Sequence, residues 1–265
     1  MVTMFEQKKI FAIVPAYNAA KTLESTLTAI PYNIVDTVLV IDDGSTDATA
    51  EIARKFKVTL VRHEKNKGYG AAQKTGYHEA LRMGAHVIVM VHADFQYDPT
   101  LLPNLVEPIV QGSADACFGS RMADKRQAWR GGMHWWRFVA NIALTLIEEM
   151  VLRLRLTEYH TGYRAYSRKV LETIPFEKNS NNYVFDTEMI VELRLGNFRV
   201  SEIGIPTRYF SDASSPNFFK SVEYGFSTLH ILLRYIFFRF HLKTYPQFTM
   251  QHAKSESGTI KKMAS

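Results

Sequence analysis

A chain of 265 residues with 46% hydrophobic and 22% charged side chains can bury a sizeable core, which excludes an intrinsically disordered protein. Its single cysteine, Cys117, excludes an intrachain disulfide and fits a reducing compartment. A net charge of +6 suits anionic partners in general without selecting one, and Met1 to Lys9 lacks the apolar run of a secretory signal or anchor, so the expected setting is cytoplasmic.

Ile10 to Pro15 is a short apolar run closed by Pro-Ala-Tyr-Asn, after which Leu23, Leu27 and Ile30 recur at helical spacing. Thr37 to Ile41 repeats the strand, the turn Asp42-Asp43-Gly44-Ser45 follows, and Thr46 or Asp47 caps a helix running to about Phe56. Val58 to Arg62 reads as the third strand, Ala71 to Met83 as a helix, and His86 to Val91 as the fourth strand. Pro99 occupies a first helical position with Asp98 as its cap. Ala114 to Gly119 is a fifth strand, and Cys117 within it reads as a buried thiol.

There the strict alternation stops. A basic, Trp-rich loop from Arg121 to Trp136 leads into a helix to about Leu154, whose stripe Phe138, Ile142 and Leu146 reads as core. Phe198 to Ile205 is a late strand, and Phe218 to Leu242 an aromatic-rich helix. The division expected is a domain over 1–215, an amphipathic helical segment over 216–245 and a mobile tail over 246–265. The late helix carries Arg234 and Arg239 and is too short and charged to span a bilayer. Lying in the headgroup plane and packing on the domain are its two alternatives.

Strands alternating with helices predict an α/β fold with a mainly parallel central sheet covered on both faces. Ligands of such sheets bind beyond the carboxyl ends of the strands. That rule gathers Tyr17 and Asn18, Asp42 and Asp43, and His92, Asp94 and Gln96. Asp42 and Asp43 can accept hydrogen bonds from a ribose or base. His92, Asp94 and Gln96 alternate along extended chain and offer ligands for a Mg2+ or Mn2+ ion that would bridge a diphosphate.

Val14-Pro15-Ala16-Tyr17-Asn18, Ile41-Asp42-Asp43-Gly44-Ser45-Thr46-Asp47, Asp94-Phe95-Gln96 and Gly119-Ser120-Arg121 together resemble the family 2 glycosyltransferases. With Thr161-Gly162-Tyr163-Arg164, the chain looks most similar to the dolichyl- or polyprenyl-phosphate sugar synthases within that family. The resemblance implies a GT-A fold and an inverting transfer from a metal-bound nucleoside diphosphate sugar. It assigns Pro15, Tyr17 and Asp42 to the nucleotide, Asp94 and Gln96 to the metal, and Arg121 to the neighbourhood of the sugar and acceptor phosphate. The sequence departs from the family at His92, where an acid is frequent, and at Ala19, where a glutamate is.

On the acceptor side, Arg121, Arg126, Arg130, Arg137 and Arg164 can form a cradle for phosphate oxygens. Asp186 and Glu188 fall in the first turn of a predicted helix, where either would be the general base if the acceptor were a sugar hydroxyl. The expected partners are therefore a nucleoside diphosphate sugar, a polyprenyl phosphate and an anionic membrane surface, with no nucleic acid. A saccharide acceptor and a nucleotide-sugar-binding pseudoenzyme are the rival readings.

Overall fold

A computed structural model describes residues 5, 8–126, 135–206 and 218–250. The first half keeps the predicted alternation: β1 (Ile10–Ala16), α1 (Leu23–Ala29), β2 (Thr37–Asp42), α2 (Thr49–Ala53), β3 (Thr59–Arg62), α3 (Tyr69–Arg82) and β4 (Val87–Met90). A 3-10 turn at Pro99–Leu101 opens α4 (Leu102–Val110), with Asp98 accepting from the Thr100 amide as the predicted cap. Then follow β5 (Ala116–Ser120), α5 (Trp135–Leu152), β6 (Arg164–Ser167), α6 (Arg168–Thr173), α7 (Phe185–Leu195), β7 (Val200–Gly204) and α8 (Phe218–Arg239).

The strands make one sheet in the order β3-β2-β1-β4-β6-β5-β7. All neighbours are parallel except β6, which runs antiparallel between β4 and β5, setting Arg164 opposite both Met90 and Phe118. Side chains alternate across the pleat, so Phe11 and Ile13 face one core with α3, α7 and α8, while Ile10, Ala12 and Val14 face the other with α1 and α4. β1 is an interior strand between β2 and β4, and its register with β2 sets Ala16 beside Asp42.

Helix α5 turns polar side chains inward over its middle turns. Asn141, Thr145 and Glu148 are its buried face, whereas Val139, Leu146, Ile147 and Met150 are exposed, Met150 at 77%. Phe138 and Ile142 do pack, against Met122, but Leu146 leaves the predicted core stripe because the inward positions are taken by polar side chains.

The late helix packs on the domain, one of its two sequence alternatives. Ile231, Leu232 and Tyr235 of α8 belong to the main core, and Phe248 is buried against Phe238 and Tyr245. The tail expected to be mobile from residue 246 is thus seated over Pro246–Phe248, where aromatic burial outweighs the missing periodicity.

Candidate active site

The loops after β1 and β2 are laced together. Asn18, in the left-handed region at φ 50°, accepts at Oδ1 from the Thr46 amide (2.9 Å), and its own amide donates to Ser45 Oγ (2.9 Å). The Asp43 amide donates to the Ala16 carbonyl. This leaves Tyr17 outside, 52% exposed, with Pro15 half-buried below it.

Asp42 is fully buried. Its Oδ1 accepts from the Ser45 amide (2.9 Å), and its Oδ2 lies 3.0 Å from Arg62 Nε, an ion-pair distance without hydrogen-bond alignment. Arg62 is half-exposed and donates from Nη2 to the Ser45 carbonyl (2.8 Å), so the buried acid is covered by a side chain that itself reaches solvent.

Asp43 has a different task. Oδ1 faces His63 Nδ1 (2.6 Å) and accepts from the Lys67 amide (2.9 Å), while Oδ2 accepts from the Gly68 amide (2.9 Å). His63 is braced by Thr75 in turn. Gly44, at φ +72°, lets the turn press against that loop: a Cβ there would meet Lys65 backbone at 2.5 Å. The carboxylate expected to touch the donor is therefore saturated by the loop it folds. Asp43→Ala should lower Tm by about 5–10 °C, the equivalent of about 2–3 kcal/mol of lost charged hydrogen bonds. An unchanged melting curve in calorimetry would refute that scaffolding role.

After β4, Asp94 Oδ1 accepts from the Gln96 amide (3.1 Å) around Phe95, whose φ of 59° is unusual for a side chain of that size. Asp94 and Gln96 are half-buried. Among the described residues no three His, Cys, Asp or Glu side chains converge as a cage. One carboxylate with a side-chain amide two residues on suits a hard cation that takes its remaining ligands from water and substrate phosphates. His92 Nε2 lies 3.4 Å from the Tyr69 hydroxyl and looks onto Gly162, where a Cβ would meet it at 2.1 Å. Burial pushes its imidazole below the usual value, against the pull of Asp94 and Asp186.

The Tyr69 hydroxyl continues to Asp186, donating to Oδ2 (2.9 Å), while Gln73 Nε2 donates to Oδ1 (3.1 Å). Burial raises the Tyr69 hydroxyl well above its ordinary value, with Asp186 reinforcing it, so it stays a donor. Glu188 stands two residues on, about 200° around the helix, and is buried against Ser180, whose amide and hydroxyl it accepts. The two acids do not share a site.

The arginines divide similarly. Arg164 is fully buried, and its Nε, Nη1 and Nη2 donate to the carbonyls of Thr161, Asp186 and Tyr159 at 2.7, 2.7 and 2.9 Å. Burial alone would lower its guanidinium pKa; Asp186 and Tyr166 more than compensate, holding it charged. It organises the strap between α5 and β6 and faces Phe118, not solvent. Arg121 follows β5, lies beside the Tyr97 ring (5.9 Å) and keeps 16% side-chain exposure. Arg126 is exposed. Arg130 lies outside the described residues, as does the side chain of Arg137.

Sequence reasoning passed over Tyr69, Gln73 and Glu158. The Lys67-Gly68-Tyr69-Gly70 loop carried the available signal: Cβ atoms at Gly68 and Gly70 would strike the carbonyls of Asn181 and Ser180 at 2.3 and 2.5 Å. That is the close backbone approach two near-adjacent glycines advertise.

Residues 11–175 match the sequence model described as Glycosyl transferase family 2. Over 245 residues the chain is 27% identical to the UDP-N-acetylglucosamine–dolichyl-phosphate N-acetylglucosaminyltransferase of Methanococcus voltae, covering 85% of this chain and 95% of that one. It is 31% identical to the undecaprenyl-phosphate mannosyltransferase of Micrococcus luteus, over 74% and 82% of the two chains. Glucosyl-3-phosphoglycerate synthase from Mycobacterium tuberculosis, crystallised with Mn2+, uridine diphosphate and phosphoglyceric acid, superposes with a TM-score of 0.70 at 21% identity, over 88% and 80%. The shared fold is GT-A.

Proposed function

Because this chain belongs to glycosyl transferase family 2, we propose that it moves a sugar with inversion from a nucleoside diphosphate sugar to a polyprenyl phosphate. The bond from the anomeric carbon to the diphosphate breaks, its electron pair leaves on the nucleoside diphosphate, and an acceptor phosphate oxygen forms the new bond. Pro15, Tyr17 and Asp42 take the nucleotide, and Asp94 with Gln96 hold Mg2+ or Mn2+. That ion supplies charge neutralisation at the departing diphosphate.

The state of the two candidate bases carries this choice of acceptor. Asp186 accepts from Tyr69 and Gln73, and Glu188 from Ser180, each at both oxygens. With both oxygens of each acid already engaged by donors of the fold, neither carboxylate is turned to an acceptor hydroxyl, and a phosphate acceptor needs no base, since it arrives as an anion and requires orientation and charge stabilisation instead. The polyprenyl-type acceptors of the relatives point the same way. The test is transfer of labelled sugar from UDP- and GDP-sugars with Mn2+ into butanol-extractable polyprenyl-phosphate glycoside. Label recovered only in water-soluble saccharide would overturn the acceptor class.

A lipid-borne acceptor brings the protein to a membrane surface. No described helix is long and apolar enough to cross one. Phe226, Leu233 and Phe237 of α8 are exposed, with Phe240, Arg239 and Lys243 at its end, an aromatic and basic edge suited to an anionic interface. Phe237→Asp with Phe240→Asp should reduce co-sedimentation with phosphatidylglycerol-containing vesicles by at least about tenfold, as each aromatic contributes on the order of 1 kcal/mol even when partly inserted. Because Ile231, Leu232 and Tyr235 are core, point changes serve here where truncating α8 would unfold the domain. Unaltered sedimentation would remove α8 from the interface.

A further inference from the structure

Arg121 does not stand alone at the rim. Glu158, fully buried, accepts from its backbone amide at Oε2 (2.7 Å) and from its Nε at Oε1 and Oε2 (2.9 and 3.2 Å), and also pairs with Nη2. Nη2 donates as well to the carbonyl of His160 (3.2 Å). The carboxylate is itself fixed from behind. Asn141 of α5 donates to Oε1 (2.9 Å) and is steadied by Thr145, while the amides of Thr157 and Glu158 donate to Glu202 of β7. Burial would raise the Glu158 carboxyl, but the guanidinium outweighs it and holds the group below its ordinary value.

We infer that Glu158 is the positioning residue of the acceptor site, clamping Arg121 by its amide and its Nε–Nη2 edge so that the guanidinium meets an incoming phosphate in one fixed pose. Three features separate this from an ordinary buried ion pair. The contact is asymmetric, with the acid sealed and the arginine partly open. One carboxylate grips both the backbone and the side chain of the same residue, which fixes the side chain relative to the end of β5. The clamped guanidinium also stands over Tyr97, whose ring meets His92 in a T-shaped contact, so its pose is referenced to the loop carrying Asp94 and Gln96. A preorganised fork loses less freedom on meeting phosphate than a swinging one, and small misplacements of such groups are costly. The inference rests on the reading of Arg121 as the acceptor-phosphate contact.

The experiment combines kinetics and spectroscopy on the full chain carrying Glu158→Gln, Asn141→Ala, Arg121→Ala and the Glu158→Gln/Arg121→Ala pair. Glu158→Gln should lower kcat/KM for polyprenyl phosphate by about tenfold or more, and Asn141→Ala by less, with donor affinity in calorimetry within about twofold of wild type. In the Arg121→Ala background Glu158→Gln should add almost nothing, because its effect passes through that arginine. An additive loss, or donor affinity falling in parallel, would mark Glu158 as merely structural and overturn the inference. If Glu158→Gln fails to fold, Asn141→Ala decides alone: an unchanged acceptor kcat/KM in that folded variant counts against the clamp. The Arg121 Nε–H resonance in 15N-labelled protein gives a readout independent of acceptor. It should be protected from exchange in wild type and lose protection in Glu158→Gln; rapid exchange in wild type would sink the clamp. Absence of any polyprenyl-phosphate product from wild type would instead sink the acceptor reading and leave the resonance to judge the clamp.

Discussion

Asp94→Ala should leave a folded protein whose sugar transfer falls by about a thousandfold or more, since a cation that neutralises a departing diphosphate supplies several kcal/mol to the transition state. The asymmetry between activity and stability comes from placement. Asp94 is half-buried in the loop after β4, where its carboxylate accepts from the Gln96 amide. Losing that bond costs about 1 kcal/mol, or a few degrees in Tm. EDTA should reproduce the loss in wild type, and Mn2+ should restore it there but not in the variant. Full activity after exhaustive chelation would reject the metal role of Asp94 and Gln96 together.

The second large effect separates two arginines that look equivalent in the sequence. Arg121→Ala should reduce transfer to polyprenyl phosphate by about a hundredfold to a thousandfold while sparing donor binding, because a charge-assisted contact to the acceptor is removed at the rim of the site. Arg164→Ala should instead lower stability by about 3–5 kcal/mol. It strands the carbonyls of Tyr159, Thr161 and Asp186 and deletes the cation 3.9 Å from the Asp186 carboxylate. Urea denaturation with a parallel transfer assay distinguishes them. An Arg164→Ala protein of normal stability with selectively lost acceptor use would restore Arg164 to the phosphate cradle.

The contrast shows what a sequence of this kind discloses. The βα alternation and the clusters at Tyr17, Asp42 and Asp94 are local patterns whose meaning follows from one rule about parallel sheets, and the structure sets them at the ends of β1, β2 and β4. Arg164 was illegible because its environment is made by pairing over long range. A four-residue antiparallel strand inserted between β4 and β5 carries no periodicity of its own, and nothing nearby in sequence says that Met90 and Phe118 flank it. The partners of Asp43 were illegible for a related reason: its donors come from residues 63–68, two elements away. Asp186 and Glu188 are alternatives for one role in the sequence, and helical geometry turns them to different partners, Tyr69 and Ser180 respectively. The α5 stripe misled because hydrophobic spacing reveals that a helix has an apolar face, not which way that face points.

Helix α5 has two faces that answer to different demands. Its inner polar residues act as keys, Asn141 on Glu158 and Glu148 opposite His160 at 3.1 Å, and they forbid the helix from rotating or slipping by a turn. Its outer residues Val139, Leu146, Ile147 and Met150 are not part of the domain's core. Residues outside the core can be exchanged with little cost to the fold, so the chemical character of this outer surface can drift through four positions while the site beneath stays in register. The same separation gives a protein engineer a place to write in lysines and glutamates, making the chain better behaved at high concentration without disturbing the grip on Arg121.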